Sequence, residues 1–188
     1  MKKIFALLIA ATTTMAALAE PEHFTSDDTH TFSSFSYNHF GYSTQQSRFN
    51  STKVKVMLDR IAKVGVLEAT IDAKSVDTGS KLFDQHIQAE DFLDTARYPT
   101  ITYKSTQVHF HGDVPVNVEG NLTVKGVSRP VALTITHFQC MEHPMARKLA
   151  CGANVTATIK RSEFNAGKYA PHVADEVMLS FAIEAIKD

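Results

Sequence analysis

Residues 114–124 read Val114-Pro115-Val116-Asn117-Val118-Glu119-Gly120-Asn121-Leu122-Thr123-Val124. Val114, Val116, Val118, Leu122 and Val124 share one parity through Gly120, while Asn117, Glu119, Asn121 and Thr123 take the other. Successive side chains of a strand point to opposite faces, so such a segment has one dry face and one wet face. The same order of residues on a helix would spread the apolar groups around the cylinder and leave no dry side.

The pattern recurs on both sides of this stretch. Val54, Val56 and Leu58 alternate with Lys53 and Lys55, and Leu67, Ala69 and Ile71 with Glu68, Thr70 and Asp72. Val131, Leu133 and Ile135 follow, then Val155, Ala157 and Ile159, then Val177, Leu179, Phe181 and Ile183. Alternating segments separated by polar turns predict an all-β fold, an antiparallel barrel or sandwich. A barrel of about eight strands is the expected form, because closing the sheet removes its exposed edges. No inward set of charges accompanies the aliphatic parity, so any interior space is expected to be dry.

One segment departs from this rhythm. Between Ser80 and Asp94 the apolar residues are Leu82, Phe83, Ile87, Phe92 and Leu93, at helical spacing. Gly79-Ser80 offers an N-terminal cap, and Tyr98-Pro99 enforces extended chain beyond. The spacing predicts one or two short helices within residues 80–94, laid over an opening of the sheet. Met141 to Leu149 reads as a hairpin connection.

The first residues address the compartment. Lys2 and Lys3, the apolar run Ile4 to Ala11 and the small residues of Ala17-Leu18-Ala19 have the three-part layout of a secretory signal. The apolar run is shorter than the roughly 20 residues that a membrane-spanning helix needs, and no stop-transfer segment follows. Residues 1–19 are therefore expected to be a cleaved signal peptide, residues 20–188 one domain, and the periplasm its location, without stable membrane insertion. In such a compartment Cys140 and Cys151, flanking one short polar segment, read as a disulfide. The alternative is a metal, since His137 and His143 each lie three residues from Cys140; an oxidising compartment disfavours it, and no metal site is expected. A formal net charge of −1 without a basic run gives nucleic acid nothing to bind.

Catalytic chemistry finds little support. His30, His39, His86, His109 and His111 are accompanied by no Gly-x-Ser-x-Gly elbow. His109 and His111 share a strand face, but no third ligand stands near them in sequence. Asp84, Glu90 and Asp91 suit caps and the solvated face of a short helix better than paired acid–base work. His86, near the expected opening, could also orient a polar headgroup. Phe35, Tyr37, Phe83, Phe92, Tyr103 and Phe181 fall on faces pointing inward or over the mouth, as packing or as the wall of a cavity.

These residues also resemble a known family. Phe35-Ser36-Tyr37-Asn38-His39-Phe40-Gly41-Tyr42-Ser43 resembles the opening of the YceI-like family. Asp77-Thr78-Gly79, Asp84-x-His86-Ile87, Asp91-Phe92-Leu93-Asp94 and Tyr98-Pro99-Thr100-Ile101 resemble its most recognisable block. Gly120-Asn121-Leu122-Thr123-Val124-Lys125-Gly126-Val127, with Arg129-Pro130-Val131, is similar to its G-x-L-T-x-x-G-V-x-x-P-V signature, and Arg161-Ser162-Glu163-Phe164 to its R-x-x-F element. The likeness covers nearly all of residues 20–188, in order. Ser47, Val54 and Asn165 stand where the family tends to have glycine.

The resemblance implies an extended lipocalin-like barrel whose interior holds a polyisoprenoid, such as an isoprenoid quinone or a prenyl pyrophosphate, or a similar long-chain lipid. The expected tunnel lining is Phe35, Tyr37, His39, Val56, Leu58, Leu67, Ile71, Phe83, Ile87, Phe92, Ile101, Tyr103, Leu122, Leu133, Ile135, Ile159, Leu179, Phe181 and Ile183. Periplasmic binding or transport of that lipid is the expected function, with no cofactor and no catalysis. Two rivals are kept: an enzyme of modest activity on an isoprenoid or quinone headgroup, with His39 and His86 as its candidates, and a ligand-free barrel acting through its surface. No motif specifies an oligomer, and a homodimer stays open.

Overall fold

The computed structural model describes residues 20–188, and the expected signal peptide lies outside them. The described residues form eleven strands and one α-helix. In chain order these are β1 (Glu22–Ser26), β2 (Phe32–His39), β3 (Ser43–Phe49), β4 (Thr52–Asp59), β5 (Val64–Asp72), β6 (Val76–Asp77), α1 (Lys81–Ile87), β7 (Thr100–His111), β8 (Val114–Val124), β9 (Val127–Glu142), β10 (Leu149–Lys160) and β11 (Glu176–Lys187). Every pairing is antiparallel.

Eight strands close into a ring in the order β1-β4-β5-β7-β8-β9-β10-β11, with β11 returning to β1. The remaining three extend from the same edge of β11 as β2-β3-β6. β11 thus divides one edge between two partners: Ala185–Lys187 pair with β1, and Met178–Ala182 with β2. Buried side chains stitch the handover. Thr31, fully buried, donates its hydroxyl to the Glu184 carbonyl at 3.1 Å and accepts from the Glu184 N–H at 3.2 Å. Ser26 Oγ accepts from the Val54 N–H at 2.9 Å, and Thr52 Oγ1 donates to Ser33 Oγ at 3.0 Å. Buried polar groups must find partners, and here Thr31 and Ser26 meet the backbone N–H groups of Glu184 and Val54.

Strand directions sort the connections into two ends. The β4–β5, β7–β8 and β9–β10 turns gather at a hairpin end. Residues 40–42, α1, the β8–β9 turn and the 161–175 connection gather at a helix end. Lys125, in the β8–β9 turn, straps two of these together by donating to the carbonyls of Glu90 at 2.5 Å and Asn165 at 2.8 Å.

Three expectations need correction. The single parity read from Val114 to Val124 breaks: Pro115 is buried, whereas Val114 and Val116 are exposed. The β7–β8 register skips Val116 between Asn117 and Pro115, and this bulge turns the strand's start by one face. Ser80 occupies the N-cap position of α1, but its side chain makes no capping bond. The Asp84 carboxylate instead accepts from the Thr78 N–H at 2.7 Å and the Thr78 hydroxyl at 2.8 Å. Leu82 is 79% exposed, so the dry side of the helix is carried by Phe83 and Ile87. Asn165, where the family favours glycine, has φ +57°, a left-handed conformation that asparagine tolerates better than most residues.

Cys140 and Cys151 are bonded across directly paired positions of β9 and β10. Joining residues 11 apart in sequence constrains the unfolded chain, and the Cys140→Ser/Cys151→Ser double variant should lose about 2–3 kcal/mol of stability. Urea unfolding checks this, with far-UV circular dichroism expected to show unchanged strand content.

Candidate functional site

The barrel interior is hollow. A cavity of about 310 Å³ occupies the helix end, and a second of about 100 Å³ the hairpin end. Ser33, Ile71, Leu122, Leu179 and Phe181 border both, so the two spaces meet across these side chains. The walls are almost entirely carbon, and an apolar space of this kind stays dry when no ligand fills it.

Each expected lining residue borders one space or the other. Phe35, Tyr37, His39, Phe83, Ile87, Phe92, Ile101 and Ile159 face the larger cavity. Val56, Leu58, Leu67, Tyr103, Leu133, Ile135 and Ile183 face the smaller, and Ile71, Leu122, Leu179 and Phe181 both. Other wall residues escaped the sequence pattern. Phe138 enters the smaller cavity because a bulge between Ile135 and His137 resets the parity of β9. Phe164, Ala166, Tyr169 and Val173 come from an irregular connection with no period to read. Val124 and Val177 carried the alternation signal and could have been chosen from it.

An aromatic row covers the helix end. The rings of Phe83 and His86 lie 5.8 Å apart, those of His86 and Phe92 4.9 Å, and those of Phe92 and Tyr169 6.1 Å. The exposed Lys168–Asp91 ion pair bridges the 161–175 connection and the segment after α1. Arg161 anchors that connection from within: Nε donates to the Ala174 carbonyl at 2.8 Å, Nη1 to Ala166 at 2.5 Å and Lys168 at 2.8 Å, and Nη2 to Val173 at 2.7 Å. Burial lowers the guanidinium's proton affinity, while Asp175 and Tyr37 act to raise it.

Tyr103 shapes the smaller cavity. Its hydroxyl lies 3.0 Å from the Val118 carbonyl oxygen and 2.9 Å from that of Val131, tying the ring to β8 and β9. Burial, then the Glu119 charge, pushes its ionisation well above the ordinary tyrosine range. Gly120 makes room for this ring: a Cβ there would stand 2.6 Å from Cζ of Tyr103 and 2.5 Å from the Lys104 carbonyl oxygen.

Two further histidines are employed elsewhere. His109 Nε2 contacts the Glu119 carboxylate at 3.0 Å on the outer face. His143 Nδ1 accepts from the N–H groups of Met145 and Ala146 in the β9–β10 turn. Among the described residues no three His, Cys, Asp or Glu side chains group as metal ligands, and no helix is long and apolar enough to cross a membrane.

An eight-stranded antiparallel ring, apolar within and covered at one end by a helix and an irregular connection, defines a hollow β-barrel of the lipocalin-like kind. The YceI-like domain model matches residues 24–185, and the chain belongs to the YceI-like family. A UPF0312 protein of Pseudomonas aeruginosa is 31% identical over 159 residues, covering 84% of this chain and 82% of that protein. Protein YceI of Salmonella arizonae is 29% identical over 184 residues, covering 97% and 95%. Among solved structures, Burkholderia cenocepacia BcnA superposes with a TM-score of 0.71 at 28% identity, covering 85% of this chain and 98% of that one. A polyisoprenoid binding domain from Saccharophagus degradans has the same fold, with a TM-score of 0.64 at 15% identity over 90% of this chain and 100% of that one.

Because the Tyr103 ring and the β7 backbone leave no room at residue 120, Gly120→Ala should cost about 1–3 kcal/mol. A denaturation midpoint unchanged by this substitution would show that Tyr103 rests elsewhere.

Proposed function

We propose that this protein binds a polyisoprenoid or similar long-chain lipid non-covalently within its barrel, for transport, storage or sequestration in the periplasm. The observation that carries this reading is the pair of adjoining apolar cavities, about 310 Å³ and about 100 Å³, inside a wall held open by strand pairing. Transfer of each methylene from water to such a space contributes about 0.8 kcal/mol, so a long chain binds firmly with few polar contacts. The likeness to the polyisoprenoid binding domain of Saccharophagus degradans supports the same class of cargo. The signal-like residues 1–19 and the disulfide support export. No cofactor or catalytic group enters this reading, and a barrel filled by its own side chains does not fit the cavities. Leu82 to Leu93 would serve as the cover through which cargo passes.

Native mass spectrometry of protein freshly isolated from its host, followed by solvent extraction, should reveal a stoichiometric lipid and the subunit count. Absence of any lipid, together with no uptake of added isoprenoid quinone, would sink the proposal. A second expectation concerns the junction. Leu179→Trp should fill the space where the cavities meet, weakening a chain long enough for both by about tenfold, the worth of roughly two methylenes. A short chain that fits the larger cavity should bind the variant nearly as before, as fluorescence displacement would show.

A further inference from the structure

The barrel wall is not laddered along its whole length. β5 pairs with β7 only over residues 68–72, against residues 100–104. Nearer the hairpin end, residues 64–67 keep their β4 partners and residues 107–111 their β8 partners, but the two strands do not pair with each other. The parting begins at the β7 bulge between Ser105 and Gln107, where the strand bends. Two side-chain bonds span it. The Leu67 N–H donates to Ser105 Oγ at 2.8 Å, and Arg60 Nε donates to the Asp113 carbonyl at 3.3 Å.

Between those bonds the seam is sealed by Val108 lying against Gly65. A Cβ at residue 65 would stand 2.9 Å from Val108 Cγ2 and 3.1 Å from its Cβ, so glycine is what lets the valine fit. Both residues border the smaller cavity, as does Val66, which is also 43% exposed. Paired strands in an apolar wall can part only by losing backbone hydrogen bonds. This seam can part by displacing one valine side chain. Along the barrel axis the hairpin end is closed, because Phe110, Phe138 and Leu149 pack there against the buried Phe24, Leu58 and Ala185.

Resting on the lipid-binding reading above, we propose that the β5–β7 seam is a lateral exit from the smaller cavity, by which the tail of a chain too long for the barrel leaves between Gly65 and Val108. The exit takes apolar chain ends only, since a charged end would have to shed its water against valine and glycine. Outside, the tail meets Val64 and Val66, 49% and 43% exposed, on the outer side of β5. The cargo class is thereby one of long linear chains with an apolar end and no fixed upper length. A blind tunnel would instead measure its cargo against the aromatic floor.

The test uses straight-chain alcohols of increasing length, each carrying carbon-13 in its terminal methyl group. In short chains that methyl should show nuclear Overhauser contacts to the interior Leu133 and Ile135. Once both cavities are filled, it should move to Val64 and Val66 and become relaxed by a soluble gadolinium chelate. Gly65→Cys/Val108→Cys supplies a lock, since the 3.1 Å separation needs only a few tenths of an ångström to reach disulfide geometry. The oxidised lock should bind short chains unchanged, abolish the Val64 contacts, and weaken long chains about fourfold for each methylene held back. Val108→Ala, which trims the seal, should keep those contacts. The magnetic readout on the unaltered protein decides the matter even if the double variant misfolds. A terminal methyl that stays on Leu133 and Ile135 or lies at the helix end at every length would overturn the exit, as would a lock without effect on long chains. Either result leaves the lipid-binding reading in place, whereas failure of every alcohol to bind would overturn that reading as well.

Discussion

The single edge of β11 is the constraint on which the architecture rests. A strand edge can satisfy one row of partners, and here two strands share that row end to end, β1 at Ala185–Lys187 and β2 at Met178–Ala182. The ring therefore closes at the hairpin end, while at the helix end the sheet continues into β2, β3 and β6. The larger cavity lies at that end, walled by Phe35, Tyr37, His39 and Phe49 from the added strands. Thr31 makes the division possible by bonding both backbone groups of Glu184 at the handover, beside the Asp27 N–H that also reaches the Glu184 carbonyl, while Ser26, Ser33 and Thr52 add bonds among the neighbouring strands. A side-chain hydroxyl both donates and accepts, which suits it to mending a ladder.

The cover follows from the same division. β3 ends on the two-residue strand β6, and the chain then enters α1 and the turns as far as Pro99 before rejoining the ring as β7. That excursion and the 161–175 connection meet over the larger cavity, joined by Lys125, by the Lys168–Asp91 pair and by the Phe92–Tyr169 contact. Exposed ion pairs contribute little to stability. The cover is thus held chiefly by apolar contacts to the space it encloses and by the carbonyl bonds of Arg161.

Alternation made most of the ring legible in the sequence, because β4, β5, β10 and β11 each have one wet face and one dry face. It failed where geometry departs from strict pairing. The bulges at Val116 and between Ile135 and His137 each insert a residue and exchange the faces; Pro115 is a local sign of the first, and no residue type announces the second. β2 and β3 were hard to read for another reason: Ser33, Ser34 and Ser36, then Thr44, Gln45 and Gln46, interrupt the apolar parity. Arg161 was visible only through the family motif, since its partners are backbone carbonyls that carry no side-chain signature.

Hollowness has an energetic consequence. Apolar cavities left by core truncation destabilise proteins by about 24 cal/mol per Å³. Spaces of about 310 Å³ and about 100 Å³ would, on that scale, cost the empty barrel on the order of 10 kcal/mol. Whole domains are stable by only about 5–15 kcal/mol, so such a void is a large fraction of the total. A sequence free to choose would fill it with leucine and phenylalanine; this one retains Gly65, Ala69, Gly152 and Ala153 along the wall. The strand ladder keeps the wall from collapsing inward, because closing the void would break hydrogen bonds around the ring. An apolar occupant would remove the void without disturbing the ladder, and ligand binding and stability are then two sides of one equilibrium. The hydrogen bonds that hold the barrel open are what make its interior a place for a chain to enter.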